Sequence, residues 1–250
     1  MIFIDVSSDM HTHPFEKGKT KESMERFVER AIERKLATIA FTEHAPMVPT
    51  CKATHTLSMD ELESYYVFSD ALKEKYRSKI KILVGIEADY HQGNLINIEN
   101  LKKTYAFDLV LGSIHLHVDP HLETTKNFSD ERLVAHAFDL TCQMIETDLF
   151  DGLAHLDFFR YALALRSSAY DPKPWRSHYE QIYEKLEQHT MFLEVNTSGL
   201  SKNFNSILPA TDALAWSEPF RITYSLASDA HAPSQVAYMF TRFCGQGVKQ

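Results

Sequence analysis

Cysteine is scarce and scattered in this sequence. Cys51, Cys142 and Cys244 are odd in number, far apart and in no CxxC pair. That argues against a disulfide framework and against a thiolate zinc site, and it fits a reducing cytoplasm. Long apolar runs are missing too: no stretch approaches the roughly 20 residues that a bilayer-spanning helix needs, so no membrane partner is expected. The opening "MIFIDVSS" has neither a basic segment nor a long apolar core, and Asp5 interrupts it, so it does not read as a signal peptide. Positive charge is in deficit, with 26 Lys and Arg against 34 Asp and Glu. A net charge of −8 disfavours a non-specific grip on nucleic acid, which needs a basic surface. Ser/Gly-rich linkers and repeats are lacking, which predicts one domain over residues 1–250. No serine sits in a GxSxG nucleophile motif.

What the chain does have is alternation. Seven short, nearly continuous apolar stretches read as parallel strands buried on both faces: "IFIDVSS", "ATIAFTE", "IKILVGIEA", "FDLVLGSI", "DGLAHL", "MFLEV" and "ITYSLAS". Helix-like segments lie between them. "KESMERFVERAIERKL" places Met24, Phe27, Val28, Ala31, Ile32 and Lys35 at helical spacing. "SMDELESYYVFSDALKEKYRSK" opens with Ser58 before Glu61, a capping-box pattern. "SDERLVAHAFDLTCQMIETD" and "KPWRSHYEQIYEKLEQH" complete the set. Strand–helix alternation over the whole length predicts an α/β barrel of about seven strands, TIM-like but one strand short.

The sequence holds 13 histidines, and their placement is not random. "DMHTHP" sets His11 and His13 two apart at a strand end, where side chains i and i+2 share a face. Later strands end in Glu43 and His44, in Glu87 and Asp89, and in His115 and His117. The last three carry His155 and Asp157, Glu194 and Asn196, and Asp229 and His231. In a parallel barrel the C-terminal strand ends share one face, so these side chains converge. Imidazole with carboxylate suits zinc, iron or manganese, and so many donors call for two or three ions sharing a carboxylate. Glu87 is the natural bridge. His55, His91, His121, His136, His178 and His189 fall in loops or on helices and read as solvated surface.

The ordered set "HTH" at 11–13, "TEH" at 42–44, "GIE" at 85–87, "SIH" at 113–115, His155 and "DAH" at 229–231 resembles the PHP superfamily of polymerase-associated domains and histidinol phosphatases. The resemblance spans nearly the whole chain. It implies a distorted (β/α)7 barrel with a two- or three-metal site at the strand C-termini. One ion would take His11, His13, Glu87 and Asp229; a second would share Glu87 with His115 and His155; a third would take His44 and His231. Many relatives add a histidine a few residues after HxH. Here the loop reads "HPFEKGKTK", which leaves Glu16 as the substitute ligand.

The length, "EHAP" and "GSIHLH" look most like the histidinol-phosphatase branch. The implied activity is hydrolysis of a small-molecule phosphomonoester, L-histidinol phosphate, by direct transfer to water. The alternatives are a phosphoesterase for nucleotides or phosphopeptides, and a metal-stabilised binding domain without catalysis. Arg160, just beyond the fifth strand, is placed to fork onto phosphate oxygens; the plainer reading is an ion pair with Asp157. His117 could bind phosphate or protonate the leaving oxygen; Asp229 or His231 could do the latter equally well. Glu43 is a carboxylate for the substrate's imidazole–amine end. Asn196 and Ser198 offer hydrogen bonds or stabilise a turn.

Overall fold

The computed structural model describes residues 2–15, 18–48, 55–118 and 120–243. Seven parallel strands lie in one sheet in sequence order: β1 (Ser8–Asp9), β2 (Thr38–His44), β3 (Lys81–Asp89), β4 (Leu109–Ser113), β5 (Gly152–Leu153), β6 (Phe192–Asn196) and β7 (Tyr224–Ala227). Backbone bonds then join the first strand to the last: Met10 N–H donates to Leu226 O, Asp229 N–H to His11 O and His13 N–H to Ala230 O, at 2.8 to 3.0 Å. Asp9 fastens the same seam. Its buried carboxylate accepts from the Ser228 N–H and hydroxyl and from the Ala237 N–H. The sheet therefore curls into a nearly closed seven-stranded barrel.

The expected strands are all present, but three are short. Only Ser8–Asp9, Gly152–Leu153 and Tyr224–Ala227 remain of "IFIDVSS", "DGLAHL" and "ITYSLAS". At β5 and β7 the chain leaves the ladder early because His155, Asp157 and Asp229 adopt left-handed backbone, with φ of 24°, 68° and 52°. Such non-glycine conformations cost on the order of 1–3 kcal/mol each and turn the following side chains inward.

Helices pack outside. The four expected ones are α1 (Lys21–Glu33), α2 (Met59–Tyr76), α5 (Asp130–Ile145) and α7 (Arg176–His189). Short helices α3 (Leu95–Thr104), α4 (His121–Thr125), α6 (Phe159–Leu165) and α8 (Thr211–Trp216), not singled out by periodicity, fill the remaining crossovers. Ser58 and Glu61 form the expected capping box. Lys35 does not extend the apolar face of α1: it takes φ 59°, ends the helix and points to solvent, while Met24, Phe27, Val28 and Ala31 are buried. The glycine of "GIE" has a packing reason. A Cβ on Gly85 would lie 2.3 Å from the Leu109 carbonyl oxygen, so only glycine lets β3 approach β4 closely at the step before Glu87.

Candidate metal centre and its cavity

The HxH segment does what its spacing implies. Thr12 turns away and donates to Ala40 O at 2.7 Å, while His11 and His13 face inward with their Nε2 atoms 3.0 Å apart. Both rings are buried. Two ring nitrogens aimed at one point in a dry interior need a shared partner. The Asp229 Oδ1 lies 3.3 Å from His13 Nε2, and the ligand atoms of His11, His13 and Asp229 form one tight group.

Glu87, from the middle of the sheet, is buried with its two oxygens facing different imidazoles. Oε2 lies 3.2 Å from His11 Nε2, 3.5 Å from His13 Nε2 and 3.0 Å from His44 Nδ1. Oε1 lies 2.8 Å from His155 Nε2 and 3.5 Å from His115 Nε2. Glu87, His115 and His155 form a second group, and His13, His44 and His231 a third. Tetrahedral ligands at about 2.0–2.1 Å from an ion stand roughly 3.3 Å apart, so these separations fit shared cations.

Surrounding carboxylates fix the rings. His11 Nδ1 meets Glu194 Oε2 at 2.9 Å, which leaves Nε2 for the cluster. His115 Nδ1 meets Asp89 Oδ1 at 2.6 Å with the same effect. His231 Nδ1 lies 2.9 Å from the Asp229 carbonyl. This is the orientation that metal-bound histidines receive from outer partners. Burial works against ionised Glu87, yet His44, His11 and His115 outweigh it and hold the carboxyl well below its usual range. Burial likewise opposes protonated His13, but Asp229 and Glu43 lift it to about 9. Burial, with His13 and His115, pushes His44 down to about 4 despite Glu87. The protein alone thus holds a knot of imidazolium–carboxylate pairs, which cations enter by displacing protons.

A cavity of about 490 Å³ opens beside the cluster, a size suited to a small metabolite. His44, His115, His117, Asp229 and His231 line it together with Phe158, Tyr161 and Lys202. Burial first, then His115 and His55, push His117 down to about 3. A neutral imidazole there offers one N–H donor and one lone pair to a ligand in the cavity.

Eight of the nine expected metal ligands therefore converge: His11, His13, His44, Glu87, His115, His155, Asp229 and His231. The ninth, Glu16, lies outside the described residues. Two substrate assignments do not meet the geometry. Arg160 is buried away from this cavity: its guanidinium donates to Ile207 O at 3.0 Å, pairs with Asp157 at 3.3 Å and stacks on Phe204. This is the geometry of the ion pair with Asp157, and the pair is buried. Glu43 is not at the rim either. It is buried, accepts from the Phe15 N–H and stands 3.7 Å from His13 Nδ1, so it supports the HxH loop. Asn196 stabilises a turn, accepting from Ser198 N–H and donating to Glu194.

Sequence reasoning missed Lys202 and misjudged two histidines. Lys202 lines the cavity, with Nζ 3.3 Å from Ser198 Oγ, which itself donates to Asp229. His121 is buried, not solvated, and His55 is partly covered and bonded to Asp89. Only the run "NTSGLSK" leading from the sixth strand end hinted at Lys202.

With this geometry in hand, comparison with known proteins is informative. The PHP domain family model matches residues 9–198. A probable histidinol-phosphatase of Deinococcus radiodurans is 24% identical over 238 residues, covering 93% of this chain and 89% of that one. The histidinol-phosphatase of Bacillus subtilis is 25% identical over 265 residues, covering 94% and 97%. Among solved structures, the Lactococcus lactis histidinol phosphate phosphatase, complexed with zinc, L-histidinol and phosphate, superposes with a TM-score of 0.77 at 19% identity over 94% of this chain and 91% of that one.

Proposed function

We propose, for a chain that belongs to the PHP domain family, that it is a metal-dependent phosphomonoesterase acting on L-histidinol phosphate. The observation that carries the reading is Glu87, whose two oxygens face two separate groups of imidazoles, some of which (His44, His115) also line a metabolite-sized cavity. The relatives' names, and the ligands held by the Lactococcus lactis structure, support this substrate.

His11, His13, Glu87 and Asp229 would hold one ion, and Glu87, His115 and His155 a second, with His44 and His231 beside them. Such ions, when bound, supply positive charge to the phosphoryl oxygens and to the attacking water. Glu194 and Asp89 keep His11 and His115 in the tautomers that leave their Nε2 atoms available. Lys202, held near Ser198, takes the phosphate-neutralising role expected of Arg160, as a mobile point charge on the cavity wall. His117, neutral among Phe158 and Tyr161, hydrogen-bonds the substrate.

Steady-state hydrolysis of histidinol phosphate against a panel of aryl, sugar and nucleotide phosphomonoesters, with and without chelator, tests the proposal. Chelator-sensitive kcat/KM highest for histidinol phosphate is the expected result. A preference for nucleotides would move the chain to another substrate class, and full activity without metal would overturn the mechanism.

A further inference from the structure

Arg160 is the second residue of α6 and only 6% exposed, yet a single one of its nitrogens is engaged. Nη1 donates to Ile207 O at 3.0 Å and pairs with Asp157 Oδ1 at 3.3 Å. Nε and Nη2 have no hydrogen-bond partner among the described residues, and neither is sealed from solvent. Their N–H bonds point the same way, along the edge that a guanidinium offers to two oxygens at once. A cation this deeply placed, with its fork left open, calls for an explanation.

The surroundings supply one. Arg160 lines a second cavity, of about 470 Å³, again a size suited to a small metabolite. Ser168, Tyr170 and Phe204 border this cavity and not the one beside the metal cluster; the strand-end histidines border only the latter. Ala164 and Asn203 border both. The walls are held in place. The centre of the Phe204 ring lies 4.4 Å from the guanidinium carbon. Tyr170 OH is bonded to Tyr179 OH at 3.0 Å, and Tyr179 OH donates to Asp157 Oδ2 at 2.8 Å. The Ala210 N–H donates to that same oxygen at 2.8 Å. Asp157 thus has partners besides Arg160, and the guanidinium is anchored by one nitrogen while two remain for a guest.

We propose that this second cavity is a binding site for a small organic monocarboxylate with an aromatic or apolar body. Arg160 is the one cation in its described lining, and its charge is already shared with Asp157. That balance suits one negative charge better than a phosphate dianion. The two coplanar oxygens of a carboxylate match the Nε–Nη2 edge. Phe204, Tyr170 and Ala164 give apolar surface to the rest of the molecule, and Ser168 a hydroxyl. The site takes its ligand apart from the metal centre, and so apart from the reaction proposed there.

Fluorine NMR of 4-fluorobenzoate, titrated against the zinc-loaded protein with inorganic phosphate in excess, tests the proposal without recourse to activity. Phosphate keeps the carboxylate off any metal, and 4-fluorobenzamide serves as the uncharged control. Two variants locate the binding. Arg160→Lys keeps the charge but loses the fork; Ala169→Trp fills the cavity from its exposed lip and leaves Arg160 alone. The expected result is saturable binding of the benzoate at one site per chain, with the benzamide about 10-fold weaker or worse. Each variant should weaken the benzoate by about 10-fold or more. Should Arg160→Lys fail to fold, Ala169→Trp decides alone. Binding that excess phosphate abolishes would place the carboxylate on the metals and overturn the inference. So would equal binding of benzoate and benzamide, wild-type affinity in Ala169→Trp, or no binding at all. None of these outcomes depends on which phosphomonoester the metal centre hydrolyses.

Discussion

Each oxygen of Glu87 addresses its own group of imidazoles. Glu87→Gln keeps the size but removes the charge that offsets two cations. It should cost most of the bound metal and several orders of magnitude in kcat/KM, on the order of 4 kcal/mol or more. Unchanged metal content with only a raised KM would show that Glu87 is no bridge. Lys202 and Arg160 form a second contrast. Lys202→Met should lower kcat/KM by roughly 10-fold to 100-fold for every phosphomonoester, and inorganic phosphate should inhibit more weakly, with metal content intact. Arg160→Met should instead leave Asp157 buried without its charged partner, an effect of about 3–5 kcal/mol on stability, and leave phosphate inhibition of the folded enzyme alone. A third test concerns His121, whose Nε2–H donates to Tyr90 O at 2.8 Å and whose pKa is lowered, chiefly by burial. The unfolded chain accepts that proton first on acidification. The stability contribution is therefore present above about pH 6.5 and lost as pH falls below it. Metal-free His121→Gln should lose less stability to urea between pH 8 and pH 5.5 than the metal-free wild type; an equal loss would remove His121 from the account.

At the scale of elements, the strand ends do the positioning, and their register depends on close packing. The Gly85 step is a tight point near the site, with Leu109 O where a Cβ would go and Tyr65 OH donating to Gly85 O at 2.8 Å. Gly85→Ala must push β3 from β4, costing about 1–3 kcal/mol by overpacking and moving Glu87 off its partners. Thermal unfolding should fall by several degrees, with zinc affinity falling alongside; a fall in stability with zinc affinity untouched would show that β3 can shift without carrying Glu87. The strands and their ligands were legible because a doubly buried parallel strand writes itself as an apolar run, and the residue after the run is forced to the shared end of the barrel. His11 and His13 could be paired on spacing alone. The loops carry no such period. Lys202 reaches the cavity through a turn set by Asn196 and Ser198, and His55 through a contact with Asp89 thirty-four residues away. Arg160 misled because α6 begins within two residues of Asp157 and buries the guanidinium against the Ile207 carbonyl. Adjacency in sequence to a ligand strand does not say which side of a helix a residue takes.

For the whole molecule the cluster is a clasp as well as a catalyst. The eight proposed ligands come from the ends of β1, β2, β3, β4, β5 and β7, and β6 contributes Glu194 to orient His11. The seam between β1 and β7 is closed by few ladder bonds, so ions joining His11 and His13 to Asp229 bind the first and last strands directly. Ions that bind the folded chain and not the unfolded one stabilise it by about 4 kcal/mol when present at roughly a thousand times their dissociation constant. For a chain of this length 1 kcal/mol corresponds to about 2–4 °C, so chelation should lower the unfolding temperature by roughly 8–16 °C. The shift should grow with free zinc and shrink in Glu87→Gln. Differential scanning of dialysed protein, zinc-loaded protein and the variant decides the matter. If removing metal abolishes activity yet leaves the unfolding temperature where it was, the seam is held by its backbone bonds and the Asp9 hydrogen bonds without the ions. A shift confined to the wild type would instead assign the barrel's closure to the same ions that serve the reaction.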